Sequence, residues 1–222
     1  MLVHTDATPD DPAADMALTG DLLRAVAAGE HEPVVRVFVP GPTVAFGRLD
    51  ARLPGYESAR TAAQQHGFTP LLRHAGGRAA AYDRGSVVIE VIERSESIAD
   101  GVEDRFRSLS GEVAELLADA GVATEVGELP GEFCPGRFSL HAGRRKLSGV
   151  AQRSIRGASL TTAAIAVTGG DRLRAVLVDV QQALGVEWDP QTAGSTDELV
   201  PTLTAEAVAE LAVNRFRGLA RG

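Results

Sequence analysis

The sequence predicts an α+β fold, with mixed or antiparallel sheets and helices packed outside. Three observations carry this. Apolar strand-like runs and amphipathic helical stretches mix without the strict alternation of a βαβ repeat. Three consecutive strands, Phe138–Ala142, Lys146–Arg153 and Ala158–Val167, are separated by turns at Gly143-Arg144 and Arg156-Gly157. With 44% hydrophobic residues in 222, the chain can bury a substantial core as one domain.

In order, residues 1–12 are polar and proline-containing and read as a flexible segment, with a single domain over 13–222. Asp15 caps a helix whose apolar side holds Met16, Leu22, Leu23 and Val26, and Gly29 ends it. Val34–Val39 reads as a strand, Pro40-Gly41-Pro42 as a turn and Thr43–Gly47 as a second strand. Tyr56–His66 is a short helix stopped by Gly67. Leu71–Arg73 is a strand that runs into a loop at Gly76-Gly77. Val87–Ile92 is near-continuously apolar, as in a strand covered on both faces. Val102, Phe106, Leu109, Val113, Leu116 and Leu117 recur at helical spacing, the clearest amphipathic helix of the chain. Gly121 closes it and Ala123–Val126 is a short strand. Gly127–Gly136 (GELPGEFCPG) is a loop by composition. After the three strands, Leu173, Val176, Leu177, Val180 and Leu184 mark another helix. Asp189–Pro201 is a loop, and Thr204 caps a last helix carrying Val208, Leu211 and Ala212.

Charge and composition exclude several classes. A net charge of -8 does not favour nucleic acid or an anionic membrane. No apolar run approaches a membrane span, and the acidic N-terminus is unlike a signal peptide. One cysteine excludes an intrachain disulfide and suits a reducing cytosol, so the chain reads as cytoplasmic.

Two stretches invite chemistry, Arg73–Ser86 (RHAGGRAAAYDRGS) and Gly143–Gln152 (GRRKLSGVAQ). Adjacent glycines let a backbone approach a ligand and aim N–H groups at an anion, and Arg73 and Arg78 add charge-assisted contacts. A tight turn with exposed arginines fits the same residues. Lys146 is the only lysine of the chain, a mobile point charge fit for an oxyanion, a carboxylate or a phosphate. It equally fits a solvated hairpin position. Cys134 lies in a Pro/Gly loop, where cations lower a thiol pKa and make a nucleophile, although an inert packing cysteine is the commoner outcome. The five histidines have no metal-ligand spacing, so no metal site is expected.

Met16–Val26 (MALTGDLLRAV), Val35–Arg48 (VRVFVPGPTVAFGR), Arg73–Ser86 and Lys146–Gly157 (KLSGVAQRSIRG), in that order, resemble the lipoate–protein ligase and octanoyltransferase family. That family is related in fold to biotin–protein ligases. The third stretch resembles its Arg-x-x-Gly-Gly-x-Ala segment and the fourth its Lys-(Ile/Val/Leu)-(Ser/Ala)-Gly-x-Ala-Gln segment. The resemblance implies a biotin/lipoate ligase-like catalytic domain, without the accessory C-terminal domain of many ATP-using ligases. It implies transfer of a lipoyl or octanoyl group to one lysine of a lipoyl carrier domain, in 2-oxoacid dehydrogenases or the glycine cleavage H protein, with acyl carrier protein as a further partner. By resemblance, Lys146 and Cys134 are catalytic. Arg73, Gly76, Gly77, Arg78, Ala79, Tyr82, Ser148, Gly149, Ala151, Gln152 and Thr162 contact substrate. No cofactor is permanently bound, lipoate or octanoate is substrate, and ATP and Mg belong to the ligase alternative.

The chain departs from the family pattern where Tyr82 and Thr162 stand in place of histidines and Ser86 in place of asparagine. Beside acyl transfer and the alternative of ATP-dependent lipoate ligation through a lipoyl-adenylate, Tyr82 and Thr162 favour a third reading, a non-catalytic paralogue that binds an acyl ligand or carrier. Arg78 and an upstream cysteine lean toward the cysteine-dependent octanoyltransferases, whose cysteine sits slightly further before the lysine. The branch with its cysteine just after the lysine is disfavoured, since Leu147 and Ser148 stand there.

Overall fold

The computed structural model describes residues 2–219. Its strands and helices, in order, are β1 (Leu2–His4), α1 (Pro12–Ala28), β2 (Val34–Phe38), β3 (Thr43–Phe46), α2 (Tyr56–Gln65), β4 (Thr69–Leu72), β5 (Ala80–Tyr82), β6 (Ser86–Ser95), α3 (Val102–Asp119), β7 (Glu125–Val126), β8 (Leu140–Ala142), β9 (Arg145–Ile155), β10 (Gly157–Ala166), α4 (Gly170–Leu184) and α5 (Ala205–Leu219). Among the described residues the strands form a seven-stranded sheet, β1-β2-β6-β10-β9-β8-β7, and a three-stranded sheet, β4-β3-β5. Only β1–β2 and β3–β4 pair in parallel. The expected α+β class with mixed sheets is what the chain adopts.

The large sheet is covered on both faces, which is why β6 reads as a nearly unbroken apolar run. Val35, Val37, Val87, Ile89, Ala163 and Ile165 meet the apolar stripe of α3 and the Val208, Ala212 and Phe216 side of α5. On the opposite face, Val34, Ile92, Ala158 and Leu160 pack on Leu22, Leu23 and Val26 of α1. The small sheet packs through Val44 and Phe46, with Phe68 just before β4, on α2 and α4.

The start of the chain differs from the sequence reading. Leu2–His4, in the segment expected to be flexible, lies parallel to β2. Asp11, not Asp15, caps α1, accepting the Ala14 N–H at 3.1 Å with Pro12 at the first helical position. Asp15 is buried one turn in and pairs with Arg36 of β2 at 2.5 Å. Thr204 does cap α5, accepting the Ala207 N–H at 3.2 Å. Ala80–Tyr82 forms a strand where the sequence reading placed none, because small alanines carry no strand signal of their own. In α3, Leu109 through Leu117 form the core stripe, but Val102 and Phe106 face a cavity instead.

Strand register brings Arg36, Glu90, Thr162 and Ala151 into one row across β2, β6, β10 and β9, on the face that α1 covers. Glu90 accepts a hydrogen bond from Thr19 at 2.9 Å and stands 3.6 Å from Arg36. Burial pushes its carboxyl up to about 7, against the pull of Arg36 and Thr19, with Asp15 adding to the rise. A raised acid favours the folded state below its unfolded pKa and loses that advantage as pH rises through the folded value. Between pH 4.5 and about 7 the protein is therefore expected to lose roughly 3 kcal/mol of stability relative to Glu90→Gln. Urea denaturation across that window checks this, and parallel curves for the two proteins would contradict it.

Candidate active site

A cavity of about 860 Å³ lies between the large sheet, the small sheet and the N-terminal ends of α1 and α3. Phe38, Val88, Leu160, Ala164, Leu173 and Leu177 contribute apolar wall. Its volume is of the size that takes a small-molecule ligand. At its mouth three segments meet: the Gly76-Gly77 turn, the Phe133–Gly136 loop and the start of β9.

Cys134 sits in the loop with φ of 43°, a left-handed backbone that a non-glycine residue rarely adopts. Buried charge fixes it there. The Lys146 ammonium donates to the carbonyls of Phe133 at 3.0 Å and Cys134 at 2.9 Å. It lies 3.4 Å from Oε2 of Glu132, in ion-pair range without a hydrogen bond to that oxygen. Oε1 of Glu132 accepts from the Gly136 N–H at 2.9 Å and the Ser139 hydroxyl at 2.8 Å. One carboxylate thus closes the loop on itself and neutralises the lysine beneath it. Both side chains are almost wholly buried, so each depends on the other.

The thiol is held from the opposite side. Its Sγ accepts from the Arg78 backbone N–H at 3.2 Å and from Nη2 of Arg73 at 3.3 Å. Nη2 also donates to the Arg78 carbonyl at 2.6 Å. Burial pushes the thiol pKa up, but the charges of Arg73 and Lys146 and the two hydrogen bonds outweigh it, and the net shift is downward. Desolvation pushes Lys146 down, and the charge of Arg73 adds to that, opposed by Cys134 and Glu132. Arg137, three residues after the cysteine and a cation the loop offers from sequence, is exposed and turned to Glu103.

Gly77 has φ of 99°, and a Cβ there would stand 2.3 Å from Nη2 of Arg73 and 2.9 Å from Sγ. Only glycine lets this turn back the thiol. Gly76 donates its N–H to the Gln152 carbonyl at 3.0 Å, tying the turn to β9.

Of the residues singled out from sequence, Arg73, Gly76, Gly77, Tyr82, Cys134, Lys146, Ser148, Gly149, Ala151, Gln152 and Thr162 line this one cavity. Arg78 does not. Only its backbone reaches the thiol, while its guanidinium turns to buried Asp50 at 3.1 Å. Ala79 packs in the core with Val44 and Phe46, behind the wall. Lys146 directs its donors at the loop. Tyr82 lies inside, its hydroxyl held in the neutral form by burial and then by Glu90. Sequence reasoning missed Glu132 and Asp50, whose roles rest on burial, and the Asp15–Arg36–Glu90 group, whose members come from three elements. An acidic residue two positions before the cysteine was the one available signal for Glu132.

Residues 11–217 match the model of the lipoyl protein ligase A/B catalytic domain. The chain belongs to that family. The chain is similar to the octanoyl-[GcvH]:protein N-octanoyltransferase of Geobacillus kaustophilus, 31% identical over 88% of this chain and 69% of that one. The protein of the same description from Anoxybacillus flavithermus is also 31% identical, over 78% of this chain and 62% of its own. A lipoyl-[GcvH]:protein N-lipoyltransferase of Listeria monocytogenes is 28% identical, over 78% and 64%. The chain thus spans about two thirds of the length of these relatives, falling just short of it in the second and third. Among solved structures it is similar to lipoate-protein ligase A bound with ATP, with a TM-score of 0.76, 20% identity and coverage of 99% of this chain and 85% of that one. The bi-partite lipoate protein ligase of Thermoplasma acidophilum gives 0.70 at 19% identity, over 99% and 83%. At such identities these structures establish the fold of the family.

The lowered thiol pKa predicts that alkylation of Cys134 by iodoacetamide, followed against pH, has its midpoint below that of a free cysteine. Arg73→Met should move the midpoint up, since it deletes a charge and a hydrogen bond. A midpoint at the ordinary thiol value, or one that Arg73→Met leaves in place, would contradict the electrostatics described here.

Proposed function

We propose that this protein is an acyltransferase that moves an octanoyl or lipoyl group onto a specific lysine of a lipoyl carrier domain, through a thioester on Cys134. The observation that carries the reading is the Cys134 thiol itself, held by Arg73 and a backbone N–H at the mouth of an apolar cavity. The relatives that act as octanoyl-[GcvH] and lipoyl-[GcvH] transferases support an acylated glycine cleavage H protein as donor. The acceptor is a lipoyl domain of a 2-oxoacid dehydrogenase.

In the first half-reaction the Cys134 thiolate attacks the acyl carbonyl. A C–S bond forms, the bond to the donor's leaving nitrogen breaks, and that nitrogen takes up a proton. The acyl chain lies along the apolar wall, where each buried methylene contributes about 0.8 kcal/mol. In the second, the neutral amine of the acceptor lysine attacks the thioester carbonyl. The C–S bond breaks, the thiolate returns to its hydrogen bonds, and the new amide nitrogen loses one proton. Lys146 serves as the fixed cation beside the sulfur and as the anchor of its loop. Gly76, Gly77, Arg73, Ser148, Gly149, Ala151, Gln152 and Thr162 contact the acyl group and its carbonyl, and Tyr82 its chain. The catalytic residues fall within one domain.

No helix among the described residues is long and apolar enough to cross a membrane. A single cysteine that must stay a thiol suits the reducing cytoplasm.

The test is an intact-mass assay of a lipoyl domain incubated with the protein and either octanoylated H protein or octanoate plus ATP. Octanoylation from the H protein, without ATP, is expected, with a loss of at least about 10²-fold in Cys134→Ser, in the range that follows removal of a nucleophile or an oxyanion donor. Octanoylation that needs ATP and survives Cys134→Ser would establish ligation through an adenylate instead. No modification under either condition would leave a binding protein.

A further inference from the structure

Most arginines around the cavity meet a carboxylate. Arg36 pairs with Asp15, Arg78 with Asp50, Arg105 with Glu93 and Arg145 with Glu198. Among the described residues Arg73 has no carboxylate but donates to the Arg78 carbonyl and the Cys134 thiol, whereas Arg48 and Arg153 have neither kind of partner. Among the described residues no carboxylate comes within ion-pair range of either, although the chain holds 30 acidic residues against 22 Lys and Arg. Arg48 is exposed and Arg153 half-exposed. Burial lowers the pKa of Arg153, and the charge of Arg48 adds to that. Two like charges that feel one another and have no counter-ion are a liability in the free protein unless an anion joins them.

Their place in the fold says what that anion is for. Arg48 follows Gly47, which lies so near the glycine turn that a Cβ there would stand 1.7 Å from the Gly77 carbonyl oxygen. Arg153 follows Gln152, whose carbonyl accepts the Gly76 N–H. Gly77 is the residue that backs the Cys134 thiol. Each arginine is thus one residue removed from a backbone contact with the turn behind the reacting sulfur. Two exposed leucines adjoin them. Leu49, 56% exposed, follows Arg48. Leu72, 48% exposed, is paired with Phe46, one step before Gly47.

We propose that Arg48, Arg153, Leu49 and Leu72 form the docking face for an acidic surface of the carrier domain, setting that domain over the cavity mouth so that its lysine reaches Cys134. The proposal rests on the acyl-transfer reading above. Exposed leucines beside the charges favour a protein over a free phosphate, because they offer a phosphate nothing and a protein surface apolar area. Arginine is enriched at protein interfaces for the same mixed character. The net charge of -8 works against an acidic partner at long range. Local complementarity therefore sets orientation at contact, and the face selects a carrier whose acidic residues flank the target lysine.

The experiment measures binding of an unacylated lipoyl domain to the Cys134→Ser protein by calorimetry, with and without Arg48→Glu and Arg153→Glu together. It is run at roughly 50 and 300 mM salt, which spans the screening of exposed charges. Loading of Cys134 by a small neutral thioester, octanoyl-N-acetylcysteamine, is measured in parallel with the thiol intact. The carrier should bind about tenfold or more weakly to the charge-reversed protein. Added salt should weaken the unreversed complex and not the reversed one. Loading by the small thioester should stay within about twofold of the unreversed protein, which also shows that the variant folds. Unchanged carrier affinity would overturn the proposal. So would a matching loss of small-thioester loading, which would place the arginines in the acyl site. Competition by low-millimolar inorganic phosphate would overturn it too, by making the pair an anion subsite. Because binding is read without turnover, a carrier that docks through these arginines but is never acylated would sink the transfer reading and leave the docking face standing.

Discussion

The site depends on one buried ion pair, Glu132 with Lys146. The loop that carries Cys134 has no regular hydrogen bonding to hold it, and its cysteine occupies a backbone region that disfavours any side chain. Lys146 binds the two carbonyls at the strained position, while Glu132 binds the N–H of Gly136 and the hydroxyl of Ser139 beyond it. Alone, either charge would be stranded away from water. Together they convert desolvation into geometry, and the thiol points at the glycine turn. A buried pair of this kind is poor evidence for added stability but a direct means of fixing one arrangement.

Around that clamp the protein divides polar and apolar work. The mouth holds the charges: Arg73 at the sulfur, Lys146 beneath it, Arg78 turned away to Asp50 so that only its N–H acts on the thiol. Much of the wall is apolar, with Phe38, Val88, Leu160, Ala164, Leu173 and Leu177 contributing to it. Glu90 is a buried carboxyl that shares the cavity with Tyr82. Arg36 and Thr19 hold it, and α1 is tied to the sheet through the same group by Asp15. The positions that depart from the family pattern, Tyr82, Ser86 and Thr162, line the same cavity as the thiol.

Much of this was legible in the sequence because it is local. The apolar run of β6, the helical spacing from Leu109 to Leu117, the Gly-rich turns and the two motifs each show themselves within a dozen residues. The lone lysine and lone cysteine were visible by counting. What stayed hidden depends on distance along the chain. Nothing near Asp15 shows that Arg36 will neutralise it, so its acidic side chain near a helix start reads as a cap. Nothing near Glu132 says that it will be buried. Val102 and Phe106 carry the same periodicity as the core stripe, yet the helix begins over a cavity rather than over the sheet. The strand at Ala80–Tyr82 is supported by pairing with Thr43–Ala45, since alanines supply little strand preference themselves.

The central claim is that the acyl group passes through Cys134. A rapid-quench single turnover, with octanoylated H protein as donor and a lipoyl domain as acceptor, tests it most directly. Intact-mass sampling should show a hydroxylamine-labile octanoyl adduct on the protein that maps to Cys134, rising before the octanoylated lipoyl domain and decaying at the rate that product forms. Product accumulating with no adduct, or an adduct that decays more slowly than product appears, would contradict the account.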